Sequence, residues 1–149
     1  MTRQWFALAL LSLLAAPTWA ATCSTTIQAN DMMRFNKSSI VVPKACKHFK
    51  VTLKHTGTLP RTAMGHDWVL SSTADEAGII EAGAKAGLGD NYIKPNDKRV
   101  IAHTKIIGGG QSASTTFKVS ALKAGESYSF FCSFPGHAAL MHGTLSLSK

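Results

Sequence analysis

The sequence predicts an all-β protein: an antiparallel Greek-key β-sandwich of seven to eight strands with one short inserted helix. Two observations support this prediction. Short runs that alternate apolar and polar residues recur along the chain, separated by turn-forming residues, and this spacing is typical of a sandwich. A single segment, residues 71–89, breaks the pattern and carries helix start and stop signals instead.

The clearest strand is HFKVTLKH, residues 48–55, in which Phe49, Val51, Leu53 and His55 share one face. Lysines lie between them, so this strand should have one buried and one solvated side. The other predicted strands are IQAN near residue 27, SSIVV before Pro43, DWVL ending at Leu70, RVIAHTKII at 99–107, STTFKVS at 114–120, SYSFF at 127–131 and HGTLSLS at 142–148.

The inserted helix is predicted over residues 71–89, SSTADEAGIIEAGAKAGLG. Ser72 or Thr73 can cap its first turn, since a hydroxyl there accepts a backbone N–H that has no partner inside the helix. Gly78 and Gly83 lie within the segment and lower its helix propensity, because glycine loses much backbone freedom on folding. We therefore expect a short helix of limited regularity.

Residues 1–20 predict a cleaved secretory signal. Arg3 supplies a positive start, residues 5–16 are almost entirely apolar, and PTWA follows with the small residues that a signal peptidase reads. The apolar stretch is too short to cross a bilayer, which needs about 20 residues; a buried N-terminal helix is the alternative. Residues 21–149 would then form one exported domain, and loss of Arg3 takes the net charge from +8 to +7.

The positive charge is spread along the chain, and its longest run is the pair Lys98-Arg99. No basic helix with interleaved aromatic residues accompanies it, so nucleic acid is not expected as a partner. No later apolar run predicts insertion into a membrane. The excess of lysine is typical of solubility, and at most it favours an acidic partner.

Three cysteines cannot all pair within one chain, although export favours pairing. Cys23 and Cys46 flank one candidate strand pair, and a bridge between them would stabilise the fold by roughly 3 kcal/mol in the chain-entropy model. Cys132 is then the odd thiol, which indicates ligation or reactivity. An intermolecular bridge and an inert buried thiol are the alternatives.

One loop concentrates side chains that bind metals. CSFPGHAALM, residues 132–141, spaces Cys132, His137 and Met141 as Cys-x4-His-x3-Met. Cys132 closes one predicted strand and Met141 opens the next, so a hairpin would bring the three side chains together. His66, in MGHDWVL, starts another strand. Two imidazoles, one thiolate and a weak axial thioether are the ligands of blue-copper sites.

Two other interpretations of these residues fit less well. A Cys132 nucleophile with His137 as its base lacks an obvious third group to orient the base. Structural zinc prefers four strong ligands, and three strong ligands with a thioether fit it poorly. The residues therefore favour a copper site that exchanges single electrons.

Several blocks of sequence resemble the azurins, a family of bacterial periplasmic cupredoxins. IQAND, MGHDWVL and FFCSFPGHAALM carry the resemblance, which covers essentially all of residues 21–149. It implies a cupredoxin-like fold and one type 1 copper ion, Cu(I) or Cu(II), that shuttles electrons without substrate chemistry. It also implies a periplasmic monomer whose partners are redox proteins such as c-type cytochromes or a periplasmic reductase. A copper storage or chaperone module is the alternative.

The resemblance also implies roles for individual residues. The copper ligands would be His66, Cys132 and His137, with Met141 as the weak axial ligand and the carbonyl of Gly65 facing the ion weakly. The family's disulfide matches Cys23–Cys46. Partners would dock on an apolar patch around the edge of the His137 ring: Met33, Leu59, Met64, Phe134, Pro135, Ala139 and Leu140. Among these, Met64 and Phe134 are expected to lie at the surface.

One position departs from the resemblance. Azurins usually carry Asn directly after the first ligand histidine, and this chain carries Asp67. An amide there helps to tie the two ligand loops together, whereas a carboxyl group donates no hydrogen bond unless it is protonated. An ionised Asp67 near the copper would favour Cu(II) and lower the reduction potential relative to an Asp67→Asn variant.

Overall fold

Two mixed β-sheets form a sandwich in a computed structural model that describes residues 22–148. One sheet has the strand order β2-β1-β4-β7 and the other β3-β9-β8-β5-β6. The elements are β1 (Ser24–Asn30), β2 (Arg34–Phe35), β3 (Ser39–Val42), β4 (His48–His55), α1 (Arg61–Met64), β5 (Val69–Ser72), α2 (Glu76–Ala86), β6 (Ala102–His103), β7 (Ser112–Lys118), β8 (Tyr128–Phe131) and β9 (His142–Leu147). The predicted sandwich with an inserted helix is confirmed, and the predicted signal, residues 1–20, lies outside the described residues.

The strand directions differ from the antiparallel prediction in two places. β1 runs parallel to β4, with Ile27 opposite Leu53, and β3 runs parallel to β9, with Ile40 opposite Leu145. The other strand pairs are antiparallel. Alternation along a strand indicates which face is buried and carries no information about the direction of the neighbouring strand.

The strand boundaries also show what alternation can and cannot predict. The strand at residues 48–55 is present as predicted, whereas β2 was not predicted, because two residues cannot show a period. Of residues 99–107, only Ala102–His103 is strand, and Ile107 makes an isolated bridge. Turn bonds to Asp97 occupy the N–H groups of the first two residues of that segment, so strand pairing begins later.

The core lies between the two sheets. Phe49, Val51 and Leu53 are buried there, since alternate residues of β4 point inward. The Trp68 ring is fully buried, and its indole N–H has no hydrogen-bond partner among the described residues. His55, the last residue of β4, continues the buried face and is only 2 % exposed, so β4 carries an imidazole to one end of the sandwich.

A disulfide stabilises the opposite end of the sandwich. Cys23 and Cys46 are bonded, with Cα atoms 5.6 Å apart, and they precede the parallel strands β1 and β4. The bridge therefore joins the starts of the two strands that pair along most of their length. Cys132 is free and buried.

The inserted segment is helical but divided. A 3₁₀ turn at Thr73–Asp75 begins where the Ser72 hydroxyl accepts the Asp75 N–H at 3.3 Å. α2 follows and ends at Ala86, and the next residue, Gly87, caps it with a φ of 77°, which favours glycine. A second 3₁₀ turn covers Leu88–Asp90. Within the stretch that the structure describes, no helix is long and apolar enough to span a membrane.

The two glycines inside α2 have different surroundings. A Cβ on Gly83 would overlap the backbone carbonyl oxygen of Tyr92, so this glycine permits the close approach of the helix to the following loop. A Cβ on Gly78 would meet only the tip of the Arg99 side chain, at 2.5 Å, which can move aside.

Candidate metal centre

Three chain segments at the His55 end of the sandwich carry the predicted metal ligands. His66 lies just after α1, Cys132 directly follows β8, and Met141 directly precedes β9. β8 and β9 are antiparallel neighbours, so Cys132 and Met141 stand side by side. The Cys132 N–H donates to the Met141 carbonyl at 3.0 Å.

A tight turn places His137 between these two residues. The His137 N–H donates to the Phe134 carbonyl at 3.0 Å, and the His137 carbonyl accepts the Met141 N–H at 2.8 Å. Gly136 has a φ of 81°, a backbone conformation that residues with a Cβ rarely adopt. The x4 and x3 spacings therefore fold into a loop held by its own backbone.

The side chains of His66, Cys132 and His137 converge. Their ligand atoms all lie within 4.8 Å of one another. The Cys132 Sγ is 3.9 Å from the Nδ1 of His66 and 3.7 Å from the Nδ1 of His137, and the two Nδ1 atoms are 3.2 Å apart. The three residues are 0 %, 0 % and 4 % exposed, respectively, so water has little access to the point where they meet.

These separations fit a single metal ion. Bonds of about 2.0 Å to each nitrogen and about 2.3 Å to sulfur, at angles of roughly 100–130°, place such donors about 3.1–3.9 Å apart. The thiolate suits Cu(I) and the imidazoles suit Cu(II), and this trigonal set is typical of blue-copper proteins. The residues present therefore fit the copper ion that the sequence predicts.

The two weaker predicted ligands lie at the same end. Met141 is fully buried, and the Gly65 carbonyl oxygen is 3.9 Å from the Cys132 Sγ. A Cβ on Gly65 would come within 2.5 Å of the Arg61 carbonyl oxygen, so a larger residue would disturb the turn that aims this carbonyl. All five residues predicted to face the metal are thus neighbours in space.

A backbone carbonyl fixes the orientation of the His66 ring. The His66 Nε2 is 2.9 Å from the Asn30 carbonyl oxygen, and a carbonyl only accepts, so Nε2 carries the proton. Nδ1 is then left with its lone pair toward the cluster. Asn30 was not predicted to act in the site, and no signal could have shown it, because every residue has a carbonyl.

The His55 ring packs against the ligand ring but does not offer it a ligand atom. The two ring centroids of His55 and His66 are 4.5 Å apart. The His55 Nε2 lies 2.9 Å from the Met64 carbonyl oxygen, and its Nδ1 accepts the Gly57 N–H at 3.0 Å. Both ring nitrogens are therefore occupied, and the burial of His55 agrees with its predicted place on the apolar face of the strand at residues 48–55.

Burial sets the protonation states of the three converging groups. It lowers the pKa of His66 to about 4 and also lowers the pKa of His137, so both imidazoles are neutral near pH 7. Burial, together with the Asp67 charge, raises the pKa of the Cys132 thiol well above its usual range. A metal ion must displace this proton, so metal affinity should increase with pH.

Asp67 ties the two ligand loops together. It is fully buried and accepts the Ser133 N–H at 2.7 Å and the Ser133 hydroxyl at 2.6 Å. Burial raises the pKa of its carboxyl to about 6. An acid therefore makes the link that the resemblance assigns to an amide, and it does so in a position unfavourable to its charge.

The predicted docking patch is partly surface and partly core. Its members at the surface are Leu59, Pro135, Ala139 and Leu140, and those half-buried are Met33, Met64 and Phe134. Met33 and Phe134 pack against the core. The expectation that Met64 and Phe134 lie at the surface is therefore met only in part, since both are half-buried. Met32, which was not predicted, is 68 % exposed; the choice between adjacent methionines depends on turn geometry that alternation does not give.

A carboxylate joins two of the loops that carry this patch. Asp31 accepts the N–H of Thr58 at 2.8 Å and that of Leu59 at 3.4 Å. The loop of Leu59 is thereby bonded to the turn that contains Met32 and Met33. The apolar face around His137 is therefore a connected surface built from several loops.

The chain is similar in sequence and in fold to known copper-binding proteins, in agreement with the geometry of the three converging ligands. Residues 21–148 match the family described as copper binding proteins, plastocyanin/azurin family. The chain is 57 % identical over 147 residues to an azurin of Pseudomonas aeruginosa, covering 99 % of each chain. It is 55 % identical over 140 residues to an azurin of Bordetella pertussis, covering 94 % of this chain and 93 % of the relative. The solved structure of an azurin, Az-iso2, from the methylotroph Methylomonas sp. strain J superposes with a TM-score of 0.84 at 49 % identity, covering 87 % of this chain and all of the other.

Proposed function

Because the chain belongs to the plastocyanin/azurin family of copper-binding proteins, we propose that it carries single electrons between redox proteins of the periplasm. One copper ion would be held by His66, Cys132 and His137, with Met141 and the Gly65 carbonyl as weaker ligands. The observation that carries the proposal is the buried convergence of two Nδ1 atoms and one Sγ within 4.8 Å.

Bound copper supplies one-electron chemistry, cycling between its cuprous and cupric states. The residues of this chain hold their positions through that cycle, because backbone hydrogen bonds fix the turn of His137 and the Asn30 carbonyl fixes the ring of His66. A site that moves little on oxidation and reduction exchanges electrons quickly. Burial of Cys132 excludes water and added reactants from the thiolate, which suits a carrier without substrate chemistry of its own.

Partners would approach the apolar face around His137. Leu140 is 60 % exposed beside this residue, and no carboxylate or ammonium group lies within residues 132–141. A small uncharged face suits brief encounters at the low end of interface size. We expect a monomer that meets redox proteins such as c-type cytochromes or a periplasmic reductase, after cleavage of the signal at residues 1–20.

The first test is a visible spectrum of residues 21–149 with Cu(II), beside the same spectrum of Cys132→Ser. We expect an intense blue thiolate-to-copper band that reductant bleaches, that oxidant restores and that the variant lacks. The same spectrum in both proteins would mean that Cys132 is not a copper ligand, and it would contradict the proposal.

A second measurement separates a carrier from a copper store or chaperone. Electron exchange with a c-type cytochrome is followed by stopped flow for the wild type, Leu140→Asp and Val41→Asp. Leu140 and Val41 are 60 % and 61 % exposed, so the control adds the same charge to a similar site on β3. We expect fast exchange that only Leu140→Asp slows; slow exchange in the wild type would favour a store.

A further inference from the structure

A groove of about 580 Å³ lies at the end of the sandwich opposite the metal centre. It is lined by residues just before and at the start of β4, and by residues at and after the end of β7. β4 begins at His48 in this groove and ends at His55 against the ring of His66. Seven steps of about 3.3 Å put the two sites roughly 23 Å apart.

The rim of the groove is positively charged. Lys44, Lys47 and Lys118 line it together with His48, and no carboxylate of residues 22–148 does. None of the three lysines is in an ion pair with a described residue. Their charges are therefore not neutralised within the described part of the chain, and they act together on one side of the molecule.

The floor of the groove is apolar and fixed. Cys46, Val119 and Leu122 form part of it and are 4 %, 7 % and 5 % exposed. The disulfide holds Cys46, and the Val119 N–H donates to the Lys47 carbonyl at 3.0 Å. A floor of this kind can cover an apolar side chain, whereas a bare cluster of surface lysines could only attract charge.

We propose that this basic groove binds an acidic peptide segment of a partner protein. The carboxylates of the segment would face Lys44, Lys47 and Lys118, and one apolar side chain would rest on the floor. Because the groove is at the far end, the protein would be held there while the face around His137 stays free for electron exchange. The binding itself does not depend on the proposed function, since it uses none of the metal ligands.

The test uses the copper-loaded chain and, as the probe, an octapeptide of seven glutamates and one central leucine. Affinity is measured by calorimetry for the wild type, for Lys44→Gln/Lys47→Gln/Lys118→Gln, and for the control Lys50→Gln/Lys54→Gln/Lys98→Gln, whose lysines are exposed outside the groove. Removal of three exposed charge contacts should weaken binding about tenfold in the groove variant and change it little in the control. A peptide with serine in place of leucine should bind several-fold more weakly.

Four results would overturn the proposal. Equal weakening in both triple variants would mean that only net charge is sensed. An unchanged affinity for the serine peptide would mean that the apolar floor does not contribute to binding. Groove-dependent binding to anionic lipid vesicles without peptide binding would assign the groove to a membrane surface. Electron exchange in the presence of saturating peptide should proceed at the rate measured without peptide. Inhibition of exchange would mean that the peptide binds at the metal end instead.

Discussion

Replacement of Asp67 by asparagine should stabilise the metal-free protein at neutral pH. Burial raises the pKa of the Asp67 carboxyl from 3.8 to about 6. Because the folded-state pKa is higher than the unfolded one, the resulting stabilisation is complete below about pH 3.8 and is lost as the pH rises to about 6. At 1.36 kcal/mol per pKa unit, the loss is about 3 kcal/mol.

The hydrogen bonds explain why an amide at position 67 should stabilise the fold more than a carboxylate does. The Ser133 hydroxyl lies 2.6 Å from the Asp67 carboxylate and 3.2 Å from the Asn91 carbonyl oxygen, and it has one proton for two acceptors. An asparagine could donate its amide N–H to this hydroxyl, which would then donate to Asn91. The amide oxygen could still accept the Ser133 N–H, so every polar group would have a partner.

The assay is urea unfolding of the metal-free wild type and Asp67→Asn between pH 4 and pH 8, followed by Trp68 fluorescence. Because pH 4 already lies just above the unfolded pKa of 3.8, the free energy of unfolding of the variant minus that of the wild type should grow by about 2.5 kcal/mol across this range. Asp90→Asn makes the same substitution at an exposed carboxylate that is in no ion pair with a described residue, and it serves as the control, with a nearly constant difference. A difference for Asp67→Asn that does not change with pH would refute the reasoning.

Three further outcomes are expected. With copper bound at pH 8, the reduction potential of the wild type should lie below that of Asp67→Asn in cyclic voltammetry, since a buried negative charge favours Cu(II); an equal or higher wild-type value would count against this. In thermal unfolding, Gly78→Ala should stabilise α2 by about 0.5–1 kcal/mol, whereas Gly83→Ala should destabilise it by about 1–3 kcal/mol, and equal signs would contradict the packing described. Trp68 should emit at short wavelength in the folded domain and shift to longer wavelength in urea, because its ring is fully buried and its N–H unpartnered; emission already at the longer wavelength before unfolding would disagree.

The metal centre was predictable because its chemistry is local. Three of the residues lie within ten positions of one another, and few side-chain sets combine a thiolate, an imidazole and a thioether at such short spacing. His66 had to be inferred from the need for another strong ligand and from the resemblance. Its ring orientation could not be inferred, since the Asn30 carbonyl that fixes it comes from a distant strand.

The strands were predictable only in part. Alternation over residues 48–55 gave both the bounds and the buried face of β4, because burial of one side imposes a period of two. Residues 99–107 alternate less clearly, and turn bonds to Asp97 delay the start of the strand, which is two residues long. Pairing directions depend on how the sheets are connected, which no run of residues records.

The sequence by itself determined the ligand types, the buried faces of the long strands and the presence of an inserted helix, because these depend on side-chain chemistry and short-range periodicity. Only the tertiary structure decided which glycine of α2 can accept a side chain, which of Met32 and Met33 faces solvent, and that Asp67 carries its charge in a fully buried position. The physical reason is the same in each case. Steric contact, exposure and desolvation are set by neighbours that are distant in the chain.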